Sequence, residues 1–307
     1  MQIPYRKLTR TARAEGGQVF VLVAVSMVAI CAMAGFAIDA ATWYQGHRKQ
    51  QAIADAAVLA AVESLPSNTG QAAADAQSYT TKNNGVNPTI TFSSKNMTND
   101  TVTVSVSATK PSYFLKAIGI GSTTVTARST ATAENLQNPY GAMPFGIFNT
   151  QPQISGPGCP CFNQTTTLTV GRTGAGNFGL VNVDGSSGPA NPSTIAGWIQ
   201  NGCSCSTPAP ATYGGSPGAR FNASAVQSAM PSTINRVSLF PVYDSTAGNG
   251  SNFTYHVIGW SAFVVTSYAL RGSSGTITGY FVKANWRGVG TSNTATYYGV
   301  TTARLSA

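Results

Sequence analysis

Four of the five cysteines form two Cys-x-Cys motifs, Cys159-Pro160-Cys161 and Cys203-Ser204-Cys205. Four thiols can hold zinc, but zinc sites generally use a Cys-x₂₋₄-Cys spacing, which neither motif has. A disulfide within one motif would strain the bond geometry. We therefore expect two disulfides that join the motifs, either 159–203 with 161–205 or 159–205 with 161–203. The fifth cysteine, Cys31, stands in an apolar stretch and is expected to act as a small apolar side chain.

The other residues that could support catalysis do not form a complete set. Gly214–Gly218 matches the Gly-x-Ser-x-Gly nucleophile-elbow pattern, but the oxyanion hole of that elbow uses the N–H of the residue after the serine, and Pro217 has none. We therefore expect a loop there. His256 and Asp244 could form a dyad, although no nucleophile is indicated beside them. The sequence predicts no enzymatic activity, no cofactor and no metal site. A hydrolase remains an alternative, which activity lost in His256→Ala would support.

Aromatic residues in the second half of the chain could either bind sugars, by stacking under pyranose rings, or fill a core. They stand at strand spacing, which favours a core. Trp286, beside Arg287 and Gly288, is the exception most compatible with a glycan surface. The set is Phe145, Trp198, Phe240, Trp260, Phe263, Tyr280, Phe281 and Trp286.

The charge distribution separates the N-terminus from the rest of the chain. Only 9% of the 307 residues are charged, and the net charge is +9. Four basic residues precede residue 19, whereas the remaining ones are scattered without a basic stripe. A nucleic-acid surface is therefore not expected. The four basic residues are Arg6, Lys7, Arg10 and Arg13, and we call them topology-setting because they determine the membrane orientation predicted below.

The stretch from Val19 to Ile38 contains no charged residue and predicts a membrane-spanning helix. Twenty residues at 1.5 Å each give about 30 Å, the thickness of the hydrocarbon core. The basic flank predicts that residues 1–18 stay in the cytoplasm and that residues 39–307 are translocated. A cleaved signal peptide would have a shorter apolar run, so we expect the helix to be retained. Representative anchor residues are Val19, Leu22, Val25, Val28, Phe36 and Ile38.

Beyond the anchor, an Ala-rich stretch predicts that the same helix continues to about Leu65 as a rod of roughly 70 Å ending at Pro66. One face of this rod carries small side chains against which a partner helix could pack: Ile53, Ala57, Ala60 and Ala61. A second helix is expected at 71–82, followed by alternating strands at 89–93, 101–106 and 123–133.

Residues 139–307 read as a strand-rich unit with Gly/Ser/Asn turns. The sequence thus predicts an α+β protein in four parts. These are a cytoplasmic basic segment (1–18), a transmembrane helix (19–38), a helical rod with a small α+β module (39–138), and an exported, disulfide-stapled, mostly antiparallel β domain (139–307).

Three motifs in the N-terminal part carry a family resemblance: Gly17-Gln18 before the anchor, Gly35 to Asp39 at its exit, and Gln51 to Ala57 in the rod. In order and spacing they resemble TadG-like (TadE/TadG-related) proteins of the tight-adherence (Flp/Tad) pilus system. The stretch from Val102 to Ala133 resembles the module that follows in that family. The resemblance implies a non-enzymatic, single-pass protein of the bacterial inner membrane that contacts pilus-assembly or pilin-like membrane proteins.

Two other functions are also compatible with the sequence. A minor pilin or pseudopilin would be cut after Gly17 and carry Glu at the fifth mature position, but that position is Leu22. A surface adhesin would use the same anchor and bind glycans through residues 139–307, and this reading has weak support in the sequence.

Overall fold

The fold combines one long helix with two β-sheets. A computed structural model describes residues 16–157, 159–170, 178–248, 252–271, 274–291 and 296–306. The predicted topology-setting residues Arg6, Lys7, Arg10 and Arg13 lie outside these ranges. The helices are α1 Gly16–Val62, α2 Thr69–Lys82, α3 Pro152–Ser155, α4 Pro192–Asn201 and α5 Ser224–Ala229, with short 3₁₀ turns at Leu115–Ile118, Gly218–Asn222 and Met230–Thr233. The strands are β1 Thr89–Ser93, β2 Thr101–Pro111, β3 Ser122–Pro139, β4 Phe145–Phe148, β5 Thr165–Val170, β6 Phe178–Val181, β7 Ala211–Ser216, β8 Val237–Ala247, β9 Thr254–Arg271, β10 Ser274–Val282, β11 Ala284–Asn285, β12 Gly288–Thr291 and β13 Val300–Ser306.

Helix α1 is continuous from the apolar stretch into the Ala-rich stretch, as predicted. It contains 47 residues, which corresponds to about 70 Å. No proline interrupts it, and Ala, Gln, Val and Leu favour the helix throughout its second half. The chain leaves α1 through a turn in which the N–H groups of Ser64 and Leu65 bond to the carbonyls of Ala61 and Val62. The turn precedes Pro66.

The second half of α1 packs with α2 on the first sheet. In this sheet β1, β2, β3, β13 and β11 are neighbours in that order, and β12 also pairs with β3. The sheet contributes Val102, Val104 and Ala131 to a shared core. Helix α1 contributes Ala54 and Val58, neither of which is exposed.

The predicted docking face for a partner helix is largely used within the chain itself. Ile53, Ala57 and Ala61 are buried in the core shared with α2 and the first sheet. The sequence correctly indicated close packing, but the small side chains let α1 approach elements of its own chain. These three residues are therefore not free to bind another protein. Ala60 is half-buried and lines a groove between α1 and α2.

The C-terminal strand belongs to the first sheet, which differs from the predicted division at residue 138. Residues Thr301 to Ser306 of β13 pair antiparallel with Asn135 to Thr130 of β3. Strand β3 is 18 residues long, so it can pair with β2, β12 and β13. This long-range pairing has no local sequence signal.

The second sheet closes on itself. The strand pairings run β10-β5-β6-β4-β8-β9 and return from β9 to β10, with β7 joined to both β6 and β9. Most pairs are antiparallel, as predicted, although β4 with β8 and β5 with β6 are parallel. We call this sheet and the hydrophobic core packed on it the second unit. Most of the aromatic residues considered for sugar binding are buried there. Those with at most 7% exposure are Phe145, Trp198, Phe240, Trp260, Phe263 and Phe281.

The remaining two aromatic residues of that set are half-buried. Trp286 packs against the core of the second unit, and its indole N–H donates to the carbonyl of Tyr140 at 2.7 Å. The Arg287 guanidinium lies 5.6 Å from the centre of the Tyr140 ring. Trp286 is therefore held in place by packing and a hydrogen bond, and the expected core role is confirmed for the six buried members.

The disulfides lie within the two Cys-x-Cys motifs, so the predicted bonds between the motifs are wrong. Cys159 pairs with Cys161 and Cys203 pairs with Cys205, with Cα–Cα separations of 4.5 Å and 5.1 Å. Both separations lie in the range that a disulfide can bridge. The two motifs bind to different parts of the chain. Cys161 N–H donates to the carbonyl of Gln153, whereas Cys203 N–H donates to the carbonyl of Ala142.

The disulfide pairing can be checked by digestion without reduction. Trypsin cuts after Arg172, which lies between the two motifs, and after Arg128 and Arg220, which flank them. We expect the two cysteine-containing peptides to be released separately, each two hydrogens lighter than its reduced form. Because each bond closes a very short loop, replacing one pair by serine should cost only about 1.5 kcal/mol on the loop-entropy model. A covalently linked pair of peptides would contradict the assignment.

The turn between β1 and β2 is organised by a buried carboxylate. Asp100 accepts hydrogen bonds from the N–H groups of Lys95, Asn96 and Met97 at 2.6–2.8 Å and from the Thr101 hydroxyl at 2.8 Å. Burial opposes ionisation of Asp100, but these hydrogen bonds outweigh it and lower the pKa of the carboxyl.

The Asp100 turn predicts a pH-dependent stability. A carboxylate whose pKa is depressed on folding stabilises the fold above the unfolded-state value of about 4, and this contribution is lost as pH falls through the folded-state pKa. At neutral pH we expect Asp100→Asn to lower the free energy of unfolding by about 2 kcal/mol, since charged hydrogen bonds are lost. In denaturant titrations in detergent, the difference in the free energy of unfolding between variant and parent should become smaller below about pH 4. If this difference in the free energy of unfolding stays constant down to pH 2, ionised Asp100 does not stabilise the fold.

Candidate functional site at the anchor helix

The first half of α1 presents an apolar surface that no other described part of the chain covers. The large apolar side chains from Val19 to Ile38 are 49–76% exposed. They include the predicted anchor residues Val19, Leu22, Val25, Val28, Phe36 and Ile38. Within the described ranges, α1 is the one helix long and apolar enough to span a bilayer. Exposing so many apolar side chains to water is unfavourable, whereas hydrocarbon accommodates them.

The buried face of α1 begins near the end of the apolar stretch. Gly35 and Asp39 are buried, and Gly46 and Gln50 continue the same side of the helix. Each of these pairs is one helical turn apart, so the side chains lie above one another. From Gly35 onward, one face of the helix is therefore packed against protein, while Phe36 and Ile38 on other faces stay exposed.

Asp39 joins the anchor helix to the turn between β2 and β3. Its Oδ1 accepts a hydrogen bond from Tyr113 N–H at 2.7 Å, and its Oδ2 accepts from Phe114 and Leu115 N–H at 3.0 Å and 2.7 Å. The carboxylate is fully buried. Three backbone donors supply the polar surroundings that a buried charge needs. Residues Tyr113 to Leu115 are thereby fixed directly against the end of the anchor.

Two glycines let the first sheet approach α1. A Cβ on Gly35 would lie 2.7 Å from the Phe114 ring, and a Cβ on Gly46 would lie 2.9 Å from the Lys110 side chain. Any larger residue at Gly35 would displace the ring that Asp39 holds in place. The Gly35-to-Asp39 motif thus has a physical reason: the glycine makes room for Phe114, and the aspartate binds the backbone on either side of it.

The motif from Gln51 to Ala57 fixes α1 further along the same sheet. The Gln51 side-chain N–H₂ donates to Asp55 at 2.8 Å and to the carbonyl of Arg128 in β3 at 3.2 Å. Asp55 therefore orients the amide that bridges from helix to strand. Ala54 and Ala57 are completely buried and allow close packing. The motif serves to dock the helix on the sheet.

The residues weighed for catalysis come together only in part. His256 Nδ1 lies 2.8 Å from Asp244 Oδ1, and the Ser245 hydroxyl donates to the same carboxylate at 2.9 Å. Partial burial opposes ionisation of Asp244, but the hydrogen bonds from His256 and Ser245 outweigh it and lower the pKa of that carboxyl. In the described part of the chain, the Asp244 carboxylate is the one side-chain hydrogen-bond partner of His256.

The Gly-x-Ser-x-Gly stretch lies at the end of a strand, and the loop expected there is wrong. Gly214 to Ser216 belong to β7, and a 3₁₀ turn follows Pro217. The Ser216 hydroxyl is buried, donates to Asn182 at 2.6 Å and accepts from Ala190 N–H at 2.8 Å. Ser216 therefore ties loops together and is not positioned as a nucleophile. No group of three metal-binding side chains occurs among the residues that the structure describes.

The sequence does not identify the junction between the anchor and the turn, which is formed by Asp39 and Tyr113 to Leu115. Asp39 stands in the Gly35-to-Asp39 motif, but its partners lie 74–76 residues further along the chain. The one local signal is a charged residue directly after an apolar stretch, at a depth where an unpaired carboxylate is costly. The sequence from Pro111 to Ile118 predicts a short helix with proline near its start, whereas only Leu115–Ile118 is helical and Pro111 ends β2.

Comparison with protein families identifies the segment that carries these features. Residues 17–75 match the Tad family, described as TadE/G-like proteins of Flp pilus assembly. The resemblance inferred from the sequence motifs is confirmed over this segment, about a fifth of the chain. No curated protein and no solved structure matches the chain. The match covers the anchor, the rest of α1 and the first half of α2, and these features fit a membrane protein of Flp/Tad pilus assembly.

Proposed function

We propose that this protein is a non-enzymatic, single-pass component of the bacterial inner membrane that supports assembly or anchoring of a tight-adherence (Flp/Tad) pilus. The observation that carries the proposal is the exposed apolar half of α1, which lies within the TadE/G-like segment. Residues 19–38 span the bilayer, residues 1–18 lie in the cytoplasm, and residues 39–307 lie on the outer side of the membrane.

The contact with other pilus proteins occurs through the membrane-spanning part of α1. The predicted contact face at Ile53, Ala57 and Ala61 is buried within this chain, so it cannot serve. In contrast, the side chains from Val19 to Met33 are exposed all around the helix. Partner helices of pilin-like membrane proteins can pack there within the bilayer, where van der Waals contacts drive association.

The test is deletion of the gene in the bacterium that encodes it, with complementation by plasmid-borne variants. We expect the deletion strain to lose Flp pilin from the fraction sheared off the cell surface, and the parent chain to restore it. A matched pair of variants separates the roles: His256→Ala should complement fully, whereas Val25→Asp/Val28→Asp should not, because charges at these positions oppose insertion. Pilin at parental levels in the deletion strain would overturn the proposal.

A further inference from the structure

The turn between β2 and β3, Ser112 to Gly121, exposes large apolar side chains. Tyr113 is 64% exposed, Phe114 51%, Ile118 72% and Ile120 45%. The turn contains no acidic residue, and its single charged residue is Lys116. A concentration of exposed apolar groups in one short turn indicates an interaction surface.

The position of this turn identifies what it contacts. Asp39 binds the N–H groups of Tyr113 to Leu115, and Phe114 fits against Gly35. Gly35 lies three residues before Ile38, or about 4.5 Å inside the end of the apolar stretch. The Phe114 ring therefore lies at the level of the last helical turn of the anchor. The anchor residues that follow Gly35, Phe36 and Ile38, are themselves exposed apolar residues.

Most backbone N–H groups of the turn have a hydrogen-bond acceptor within the protein, as an apolar environment requires. In a bilayer, each backbone N–H without a partner costs several kcal/mol, so a non-helical segment must satisfy its own donors. The acceptors here are Asp39 and carbonyls within the turn itself. The N–H groups satisfied in this way belong to Ser112, Tyr113, Phe114, Leu115, Ala117, Gly119 and Ile120.

We propose that the turn Ser112 to Gly121 inserts into the bilayer interface beside the anchor helix, in the leaflet nearer residue 39. This inference rests on the proposed membrane-spanning role of residues 19–38. Tyr113 and Phe114 occupy the interfacial layer that aromatic side chains favour, and exposed Lys116 reaches the lipid phosphates. The anchor helix and the turn then both bind the membrane, which fixes the orientation of the two sheets relative to it.

Lipid is the occupant because the surface is continuous with the anchor. The Phe114 ring lies against Gly35, one residue before Phe36 and three before Ile38, and the side chains of Phe114, Phe36 and Ile38 are all exposed. Because the Phe114 ring lies against Gly35 inside the apolar stretch, an aqueous environment at the turn would place the water boundary within the anchor itself. A membrane helix of another protein is the alternative occupant, and the experiment separates the two.

The test uses spin labels on the full-length chain in nanodiscs of phosphatidylethanolamine and phosphatidylglycerol. The background is Cys31→Ser, since Cys31 is the free cysteine and the other four are in disulfides. Single labels are placed at Ile118→Cys in the turn, at Thr98→Cys as an exposed control in the β1–β2 turn, and at Val28→Cys in the anchor. Collisions with oxygen report lipid, and collisions with a water-soluble nickel chelate report water.

We expect oxygen collisions to dominate at positions 118 and 28 and nickel collisions to dominate at position 98. Nickel-dominated relaxation at 118 with oxygen-dominated relaxation at 28 would overturn this inference and leave the anchor intact. Nickel-dominated relaxation at 28 would overturn the membrane-spanning role and this inference with it. If position 118 is protected only after another pilus protein is added, a protein rather than lipid covers the turn, and the lipid assignment is wrong.

Discussion

Replacing Asp39 with alanine is expected to release the turn Ser112 to Gly121 from the anchor helix. The substitution removes the acceptor of three backbone hydrogen bonds at once. Hydrogen–deuterium exchange of the full-length chain in detergent should show the amides of Tyr113, Phe114 and Leu115 exchanging at least about tenfold faster, the effect expected from losing one hydrogen bond to a charged acceptor. Asp39→Asn keeps one acceptor oxygen and should give an intermediate effect.

Asp55→Ala is the matched control, because it removes another carboxylate from the same helix. Asp55 accepts a hydrogen bond from Gln51 and lies about 24 Å further along the helix than Asp39, away from the turn. Exchange at Tyr113 to Leu115 should therefore match that of the parent chain. If Asp39→Ala also leaves these amides as protected as in the parent, Asp39 does not hold the junction.

Removing residues 300–307 is expected to destabilise both sheets. Strand β13 pairs with β3 over six residues, and Val300 is buried in the core of the second unit. Loss of a buried valine together with a row of backbone hydrogen bonds should lower the free energy of unfolding by on the order of 5 kcal/mol. Denaturant titration in detergent, followed by circular dichroism, measures this difference.

The control for the truncation is Leu305→Ser, which keeps the backbone of β13. Leu305 is 45% exposed, so its replacement should change the free energy of unfolding by less than about 0.5 kcal/mol. A truncated chain as stable as the parent would show that β13 does not hold the first sheet together.

The elements that the sequence predicted best are those with local signals. Helix α1, helix α2 and strand β1 follow from propensity and periodicity, and β1 has the predicted bounds of residues 89–93. The turn at Asn99 and Asp100 also follows local chemistry, since Asn99 adopts a positive φ of 59° and Asp100 binds the preceding N–H groups.

The features that the sequence did not predict depend on distant residues. The hydrogen bonds of Asp39 join parts of the chain 74–76 residues apart, and β13 pairs with a strand about 170 residues earlier. Likewise, the spacing within a cysteine motif does not reveal whether the fold brings the second motif close enough to form a disulfide with it. The small-residue face of α1 was read correctly as a packing surface, but composition does not reveal whether its partner is another chain or the same one.

The most direct test of the account is the covalent state of the protein in the membrane. Bacterial membranes are washed with carbonate, the chain is extracted in detergent, and its intact mass is measured. We expect a chain that resists the wash, retains the anchor from Val19 to Ile38 with the Gly17–Gln18 bond uncut, and carries two disulfides. A chain that begins at Gln18 would indicate a processed pilin, and a released chain lacking the anchor would indicate a cleaved signal peptide. Either result would contradict a permanent membrane anchor.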